Sequence, residues 1–295
     1  MLYQMVPTNE HCPVCHSASN RLLYDVRKPT AHANGLHGLI KKCSRCSLVF
    51  KTFDGQATEV YDEQYAEGFF NNADYSGDAA IALYSNILKP CYERVKHHYE
   101  PPKLLDIGSG FGMMLQTAKS MGFHATGVEF CKPLADRARE QGFDVYNCDV
   151  NDMQSDLMFD TITMMDIIEH LVDPVAVLKS LRARLKPTGE LILYTPDHSS
   201  MIVSVASWLY RLGRTSAIDN IFACSHTCFF TAETLKATAE RAGFEVLKVR
   251  TLPYDTSRTG QPVSAASKII INAIEGTGRL LGYNGFRVIS YAKPK

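Results

Sequence analysis

Excess charge of either sign is absent. Lysine plus arginine number 31, and so do aspartate plus glutamate. No global field therefore draws the chain toward nucleic acid or an anionic membrane. Long apolar runs are absent too: none approaches the roughly 18 residues that a bilayer span needs. The opening MLYQMVPTNEHC lacks a basic stretch followed by an apolar core, so no secretory signal is expected. Tryptophan occurs once, at Trp208. No internal repeat or low-complexity tract appears, which argues against a solenoid. Cysteine is not scarce, but nine of them cannot all pair. Four lie in two tight C-x-x-C turns, which favours metal binding in a reducing cytoplasm over a disulfide framework.

What is present divides into zones. Residues 1–56 carry both C-x-x-C pairs, turn residues and short apolar runs. Residues 57–102 hold tyrosines, including Tyr61 and Tyr65, and then a predicted helix from Asp78 to His98 that Pro101-Pro102 stops. From Lys103 to the end, strand and helix patterns alternate. Predicted strands are KLLDIG, HATGVEF, DVYNCDV, FDTITMMD, ELILYTP, FEVLKVR and FRVISYAKP. Helices are predicted near Gly112, over Pro133–Gln141, Pro174–Leu185, Thr231–Ala242 and roughly 264–281. This alternation predicts an α/β fold, a doubly wound and mostly parallel sheet with helices on both faces. Ligands of such sheets sit at the carboxyl ends of the strands, near the switch in strand order.

The first motif falls at that edge. KLLDIGSGFGMM runs from Lys103 to Met114, with Asp106 two residues before Gly108, then Ser109, Gly110 and Gly112. A strand entering such a turn brings backbone N–H groups close to a ligand. The dinucleotide fingerprint G-x-G-x-x-G would need glycine where Met113 stands. Glu129 ends HATGVEF nineteen residues after Gly110, with Phe130 beside it. An ionised carboxylate there can accept from both hydroxyls of a ribose. Cys148 and Asp149 follow the third strand of this zone in the same way.

The D-x-G-x-G-x-G form resembles the first motif of class I S-adenosylmethionine (SAM) methyltransferases. The phrase FDTITMMDIIEHLVDPVAVLKSLRARLKPTGELILYTP, Phe159–Pro196, and the later SHTCFFTAETLKATAERAGFEV resemble the small-molecule branch that includes ubiquinone-biosynthesis O-methyltransferases. The resemblance covers about residues 60–250. It implies a seven-stranded Rossmann-like sheet and SAM as cofactor. The glycine turn would hold its methionyl part, Glu129 its ribose, and Asp149 the adenine amino group with Cys148 flanking the ring. Asp166, Glu169 and His170 would then lie beside the transferred methyl. His170 and His226 are candidate bases for a hydroxyl acceptor. The resemblance also implies a divalent cation site at Asp166, Glu169 and His170. Cys224, His226 and Cys228 would supply three ligands to a metal but lack a fourth. The insertion over residues 197–225 contains Met201, Ile202, Val203, Val205, Trp208, Leu209 and Leu212, an apolar helical surface. It is expected to cover the acceptor pocket; a dimer contact or an interfacial membrane helix are its rival uses.

Cys12, Cys15, Cys43 and Cys46 give C-x2-C-x27-C-x2-C. Two knuckles complete a tetrahedron around one structural zinc, with no open coordination position for catalysis. His11 and His16 are surplus to it. The phrase KKCSRCSLVF resembles the zinc ribbons that precede methyltransferase domains in bacterial biosynthetic pathways. The leading expectation is therefore a small-molecule methyltransferase with an N-terminal zinc ribbon. An RNA methyltransferase is a second reading, since residues 11–53 carry seven Lys/Arg against one Asp. Two features disfavour it: those basic residues are not interleaved with aromatics, and Asp166-Ile167-Ile168-Glu169 stands where amino-directed base methylation uses N-P-P-Y. A third reading is a SAM-binding protein without turnover.

Overall fold

The computed structural model describes residues 2–6, 10–26, 38–53, 57–61, 66–68, 77–96, 100–154, 156–222, 226–253 and 265–295. Tyr65 and Cys224 lie outside these residues, as do the last residues of the helix expected to reach His98. The N-terminal part contains β1 (Leu2–Val6), β2 (Asn20–Val26), β3 (Gly38–Cys43), β4 (Val49–Phe53) and β5 (Ala57–Tyr61). Helix α1 (Gly77–Val95) leads into the alternating region: β6 (Lys103–Ile107), α2 (Met113–Met121), β7 (His124–Val128), α3 (Lys132–Glu140) and β8 (Asp144–Tyr146). Then come β9 (Phe159–Met165), α4 (Pro174–Arg182), β10 (Leu185–Pro196), α5 (Met201–Arg211) and α6 (Ser216–Phe222). The chain closes with β11 (Cys228–Phe229), α7 (Ala232–Arg241), β12 (Phe244–Leu252), α8 (Ala265–Leu280) and β13 (Arg287–Pro294).

The main sheet has seven strands in the order β12-β13-β10-β9-β6-β7-β8. β10, β9, β6, β7 and β8 run parallel, and β13 is antiparallel to both neighbours. Strand alternation sends successive side chains to opposite faces. Leu105, Ile107, Leu191 and Leu193 enter one core with Leu178, Leu181, Leu235 and Ala239 of α4 and α7. Leu104, Ile192 and Tyr194 enter the other, with Leu88 and Cys91 of α1 and Met114 and Ala118 of α2. Helices thus cover both faces, and strand order reverses between β6 and β9.

Local chemistry sets the helix ends. α2 starts at Gly112 and stops at Gly122, both left-handed at φ 98° and 102°. Asp173 accepts from Ala176 N at the start of α4, with Pro174 in its first turn. Thr231 and Thr234 form a reciprocal capping pair on α7. One difference from the pattern-based reading concerns KPTG, which falls between the predicted helix Pro174–Leu185 and the predicted strand ELILYTP. It lies inside β10: Leu185 pairs with Phe159, and the ladder resumes at Glu190 with Thr161, so the four residues bulge out of a continuous strand. The third strand is also shorter than DVYNCDV, because Asp149 accepts from Asn151 N and starts a helical turn.

β2, β3 and β4 form an antiparallel sheet whose fourth strand, β11, comes from the far end of the chain. Cys12, Val14, Cys43, Leu48 and Phe50 share one continuous core with Ile168, Leu178 and Phe230. α5 and α6 of the 197–225 insertion lean on the same module. Ala206, Ile218 and Phe222 pack with Val26, Ile40 and Phe229, and Tyr24 donates to Ser207 Oγ at 2.8 Å. Val203 is buried, but Trp208 and Leu212 are each 59% exposed. No helix among the described residues is long and apolar enough to cross a membrane.

Candidate active site

The glycine turn leaves β6 with Gly108, Gly110 and Gly112 all at positive φ, where a side chain is strained. Space reinforces this at Gly108: a Cβ there would sit 2.2 Å from Ile167 Cδ1, against the loop that follows β9. The turn is pinned by Gly108 N and Ser109 N, which both donate to Val128 O at 2.8 and 3.1 Å. Glu129, at the end of β7, clamps it from the side. Its Oε2 accepts from Gly110 N at 2.8 Å and its Oε1 from Cys131 N at 2.7 Å. Asp106 is fully enclosed and accepts from Thr163 Oγ1 at 2.6 Å. Burial pushes its carboxyl up to about 7, helped by the neighbouring Glu129 charge, and burial also raises Glu129. Ser109 Oγ is buried with no hydrogen-bond partner among the described residues. Asn147 Nδ2 bridges Glu129 O and Phe130 O at 2.8 and 3.0 Å, so the ends of β7 and β8 meet beside the turn. Cys148 and Asp149 follow there, both half-buried.

The second half of the site follows β9. Asp166 adopts φ 54°, a left-handed conformation that aspartate tolerates better than most residues. It pairs with Arg287 at the start of β13, whose guanidinium also lies 5.4 Å from the Tyr194 ring centre. The next helical turn, Ile168–His170, carries Glu169 and His170. Glu169 is 1% exposed, and neither of its oxygens has a hydrogen-bond partner among the described residues. Burial, and then the Asp166 charge, push it up to about 8; Thr195 is near enough to soften the shift without meeting hydrogen-bond geometry. His226 Nε2 lies 3.9 Å from Glu169 Oε1, and its ring stands perpendicular to that of His170 at 4.7 Å. Burial, then His170, hold the His226 imidazole well below the ordinary histidine range. His198 stacks on Phe222 at 5.5 Å and meets Phe229 edge-on at 4.8 Å, and burial lowers it to about 3.

The structure therefore brings Asp106, the glycine turn and Glu129 together, and Ile167 joins that half to Glu169, His170 and His226. It changes one expected set. Asp166 is engaged by Arg287, and the ligand atoms that converge within 4.8 Å belong to Glu169, His170 and His226, not to Asp166, Glu169 and His170. Cys228 is buried with its thiol directed at Leu171 O, 3.7 Å away, so it does not join His226 in a metal set. Arg287 and His198 escaped the sequence reading. His198 sits in the polar run Asp197–Ser200 and Arg287 at the start of a strand, with no local pattern to single either out.

The four N-terminal thiols do converge. Cys12 and Cys46 Sγ lie 3.4 Å apart, Cys15 and Cys43 Sγ 3.5 Å, and all four fall within 4.8 Å of one another. The two knuckles repeat one turn. His16 N donates to Cys12 O and Ser47 N to Cys43 O, while Cys12 N and Cys43 N donate to Ser17 O and Leu48 O. His16 and Ser47 each take positive φ, 54° and 63°, to allow it. Sulfurs around one zinc at about 2.3 Å would stand roughly 3.8 Å apart, so the donor set fits that ion.

Comparison with known proteins decides what the glycine turn belongs to. The methyltransferase-domain family matches residues 83–249, more than half of the chain. The chain belongs to the class I SAM-dependent methyltransferases. Ubiquinone biosynthesis O-methyltransferases are similar to this methyltransferase. That of Xanthomonas euvesicatoria pv. vesicatoria is 31% identical over 57% of the chain and 72% of the relative. That of Xanthomonas axonopodis pv. citri is 31% identical over 60% and 77%, and that of Aeromonas salmonicida 26% identical over 52% and 66%. The methyltransferase thus spans about two thirds to three quarters of these relatives' lengths. Among solved structures, a Haloferax volcanii complex of the Trm112 activator with a methyltransferase matches with TM-score 0.54 at 15% identity, over 80% of this chain and 99% of that one. The plantazolicin methyltransferase BpumL matches with TM-score 0.51 at 13% identity, over 79% and 90%. Both likenesses concern the fold alone.

Proposed function

We propose that this methyltransferase transfers a methyl group from SAM to a hydroxyl of a small-molecule acceptor. The observation that carries this reading is the close group of buried Glu169 and half-buried His170 and His226, set against the SAM-type glycine turn through Ile167. Asp106, Gly108, Ser109, Gly110, Gly112, Glu129, Phe130, Cys148 and Asp149 are the residues that would hold SAM. The unpartnered Ser109 hydroxyl and two buried acids suit a ligand that is cationic and rich in donors. When bound, SAM supplies a methyl group on a positively charged sulfur, already activated for transfer. The protein's own part is to align, exclude water and manage the acceptor's proton.

That proton falls to His226. Its depressed basicity keeps the imidazole neutral near pH 7, and its Nδ1 is buried with no partner among the described residues. Glu169 faces the opposite nitrogen. As a carboxylate it stabilises the imidazolium that forms. Arg287 holds Asp166, and with it the left-handed turn that presents Glu169 and His170. Four cysteine thiolates would hold a structural zinc.

Three expected results follow. The rate of transfer should climb with pH as Glu169 ionises toward about 8, and Glu169→Gln should remove that limb from the pH–rate profile. The same substitution should stabilise the fold at high pH. Glu169 is raised from 4.5 to about 8 on folding, so the unfolded chain loses its proton first and stability falls as pH rises through that window. Thermal melts at pH 6 and pH 9 should show Glu169→Gln gaining relative to the parent at both, and by more at the higher pH. An equal effect at both would contradict the assignment. For the zinc, Cys43→Ser should lose the metal by elemental analysis and melt several degrees lower, and a chelator should reproduce the shift in the parent.

A second use of the same three side chains has its own observation, the convergence of their ligand atoms. A divalent cation of the kind that two imidazoles and a carboxylate hold would orient an acceptor with two adjacent oxygens. Loss of turnover in a chelator that leaves the zinc of the cysteine module in place, restored by a divalent transition metal, would favour that use over proton transfer by His226.

A further inference from the structure

We infer that the N-terminal cysteine module builds one wall of the acceptor site, with Lys51 as the residue that positions it. This rests on the reading that Glu169 and His226 face the acceptor. The module is joined to the site by a backbone ladder. β4 pairs with β11 through Phe50–Cys228 and Val49–Phe229. Lys51 N extends it by donating to Thr227 O at 2.9 Å, one residue from His226. Thr227 in turn holds the catalytic turn from below: its N donates to Glu169 O at 2.8 Å, and its hydroxyl lies 3.0 Å from Glu169 O and 2.9 Å from Leu171 O. A second path uses the Lys51 side chain. It is 4% exposed, and its Nζ donates to Phe222 O at 3.0 Å, at the end of α6. Phe222 is the ring on which His198 stacks. One buried lysine on the strand after the second knuckle therefore reaches two of the site's histidines. The knuckle anchors that strand, since Cys43 N donates to Leu48 O directly before β4.

A buried ammonium is costly unless hydrogen-bonded, so its place here marks a requirement of position and not merely of packing. In a simple covering role, the module's loss would lower stability and leave the geometry of the histidines alone. In a positioning role, zinc binding or Lys51 would move the site itself.

The test is Lys51→Met in the full, zinc-loaded chain, which keeps length and apolar stem but drops the Nζ bond. SAM affinity should stay within about twofold, while transfer to an acceptor falls at least tenfold in kcat/KM. The imidazole resonances of His226 and His198 should shift in carbon–proton spectra recorded without any acceptor. Stripping zinc from the parent should shift the same resonances. A folded, zinc-loaded Lys51→Met protein with unmoved resonances would overturn the inference. Should that variant fail to fold, Thr227→Val decides: it removes only the hydroxyl bonds to Glu169 O and Leu171 O, and an unmoved His226 resonance there is equally fatal. The spectra need no turnover. They therefore separate failure of this inference from failure of the base assignment, which His226→Gln tests alone.

Discussion

Glu129→Ala is expected to weaken SAM binding by about 10²- to 10⁴-fold. Hydrogen bonds to a charged group contribute about 1.5–3 kcal/mol each, and two such bonds to a ribose give that range at about 1.4 kcal/mol per tenfold. The carboxylate also shapes the receptor before any ligand arrives, because it accepts from Gly110 N and Cys131 N. Alanine would leave both N–H groups without that acceptor and loosen the turn. Glu129→Gln keeps the size and one acceptor oxygen, so it should fall between parent and alanine. Calorimetric titration gives the affinities, and a thermal melt of each variant shows whether the fold survives. Parent-like affinity in folded Glu129→Ala would remove the carboxylate from the cofactor site.

The second large effect is expected at His226. General bases contribute about 10²- to 10⁴-fold to rate, so His226→Gln should lower kcat by that order with SAM affinity nearly unchanged. His170→Gln should cost less. Its ring is half-buried at the edge of the group, and it acts on His226 across a 4.7 Å perpendicular contact. If His170→Gln proved the more damaging of the two, the proton would pass through His170 and the direction of the relay would be reversed.

Much of this was legible because it is local. Asp106, the three glycines and Glu129 fall within 24 residues of one another, and a strand running into a glycine turn carries its own geometry. The cysteine knuckles are likewise self-declaring, although the left-handed residues that close them, His16 and Ser47, carry no compositional signal. The mostly parallel α/β architecture followed from the alternation of elements, while the bulge at Lys186–Gly189 did not, since its turn residues mimic a loop. What stayed hidden was long-range. Arg287 meets Asp166 across 121 positions, and β4 joins β11 across a gap that no periodicity spans. Lys51 reads as one more surface lysine in KKCSRCSLVFK until the strand pairing buries it.

The most direct measurement is transfer from methyl-labelled SAM, with the protein offered phenols and catechols in one set of reactions and total RNA in another. The account predicts label in the small-molecule fraction from at least one hydroxyl acceptor, abolished by His226→Gln and absent from RNA. Label appearing in RNA, or small-molecule methylation that persists at the parent rate in His226→Gln, would contradict it.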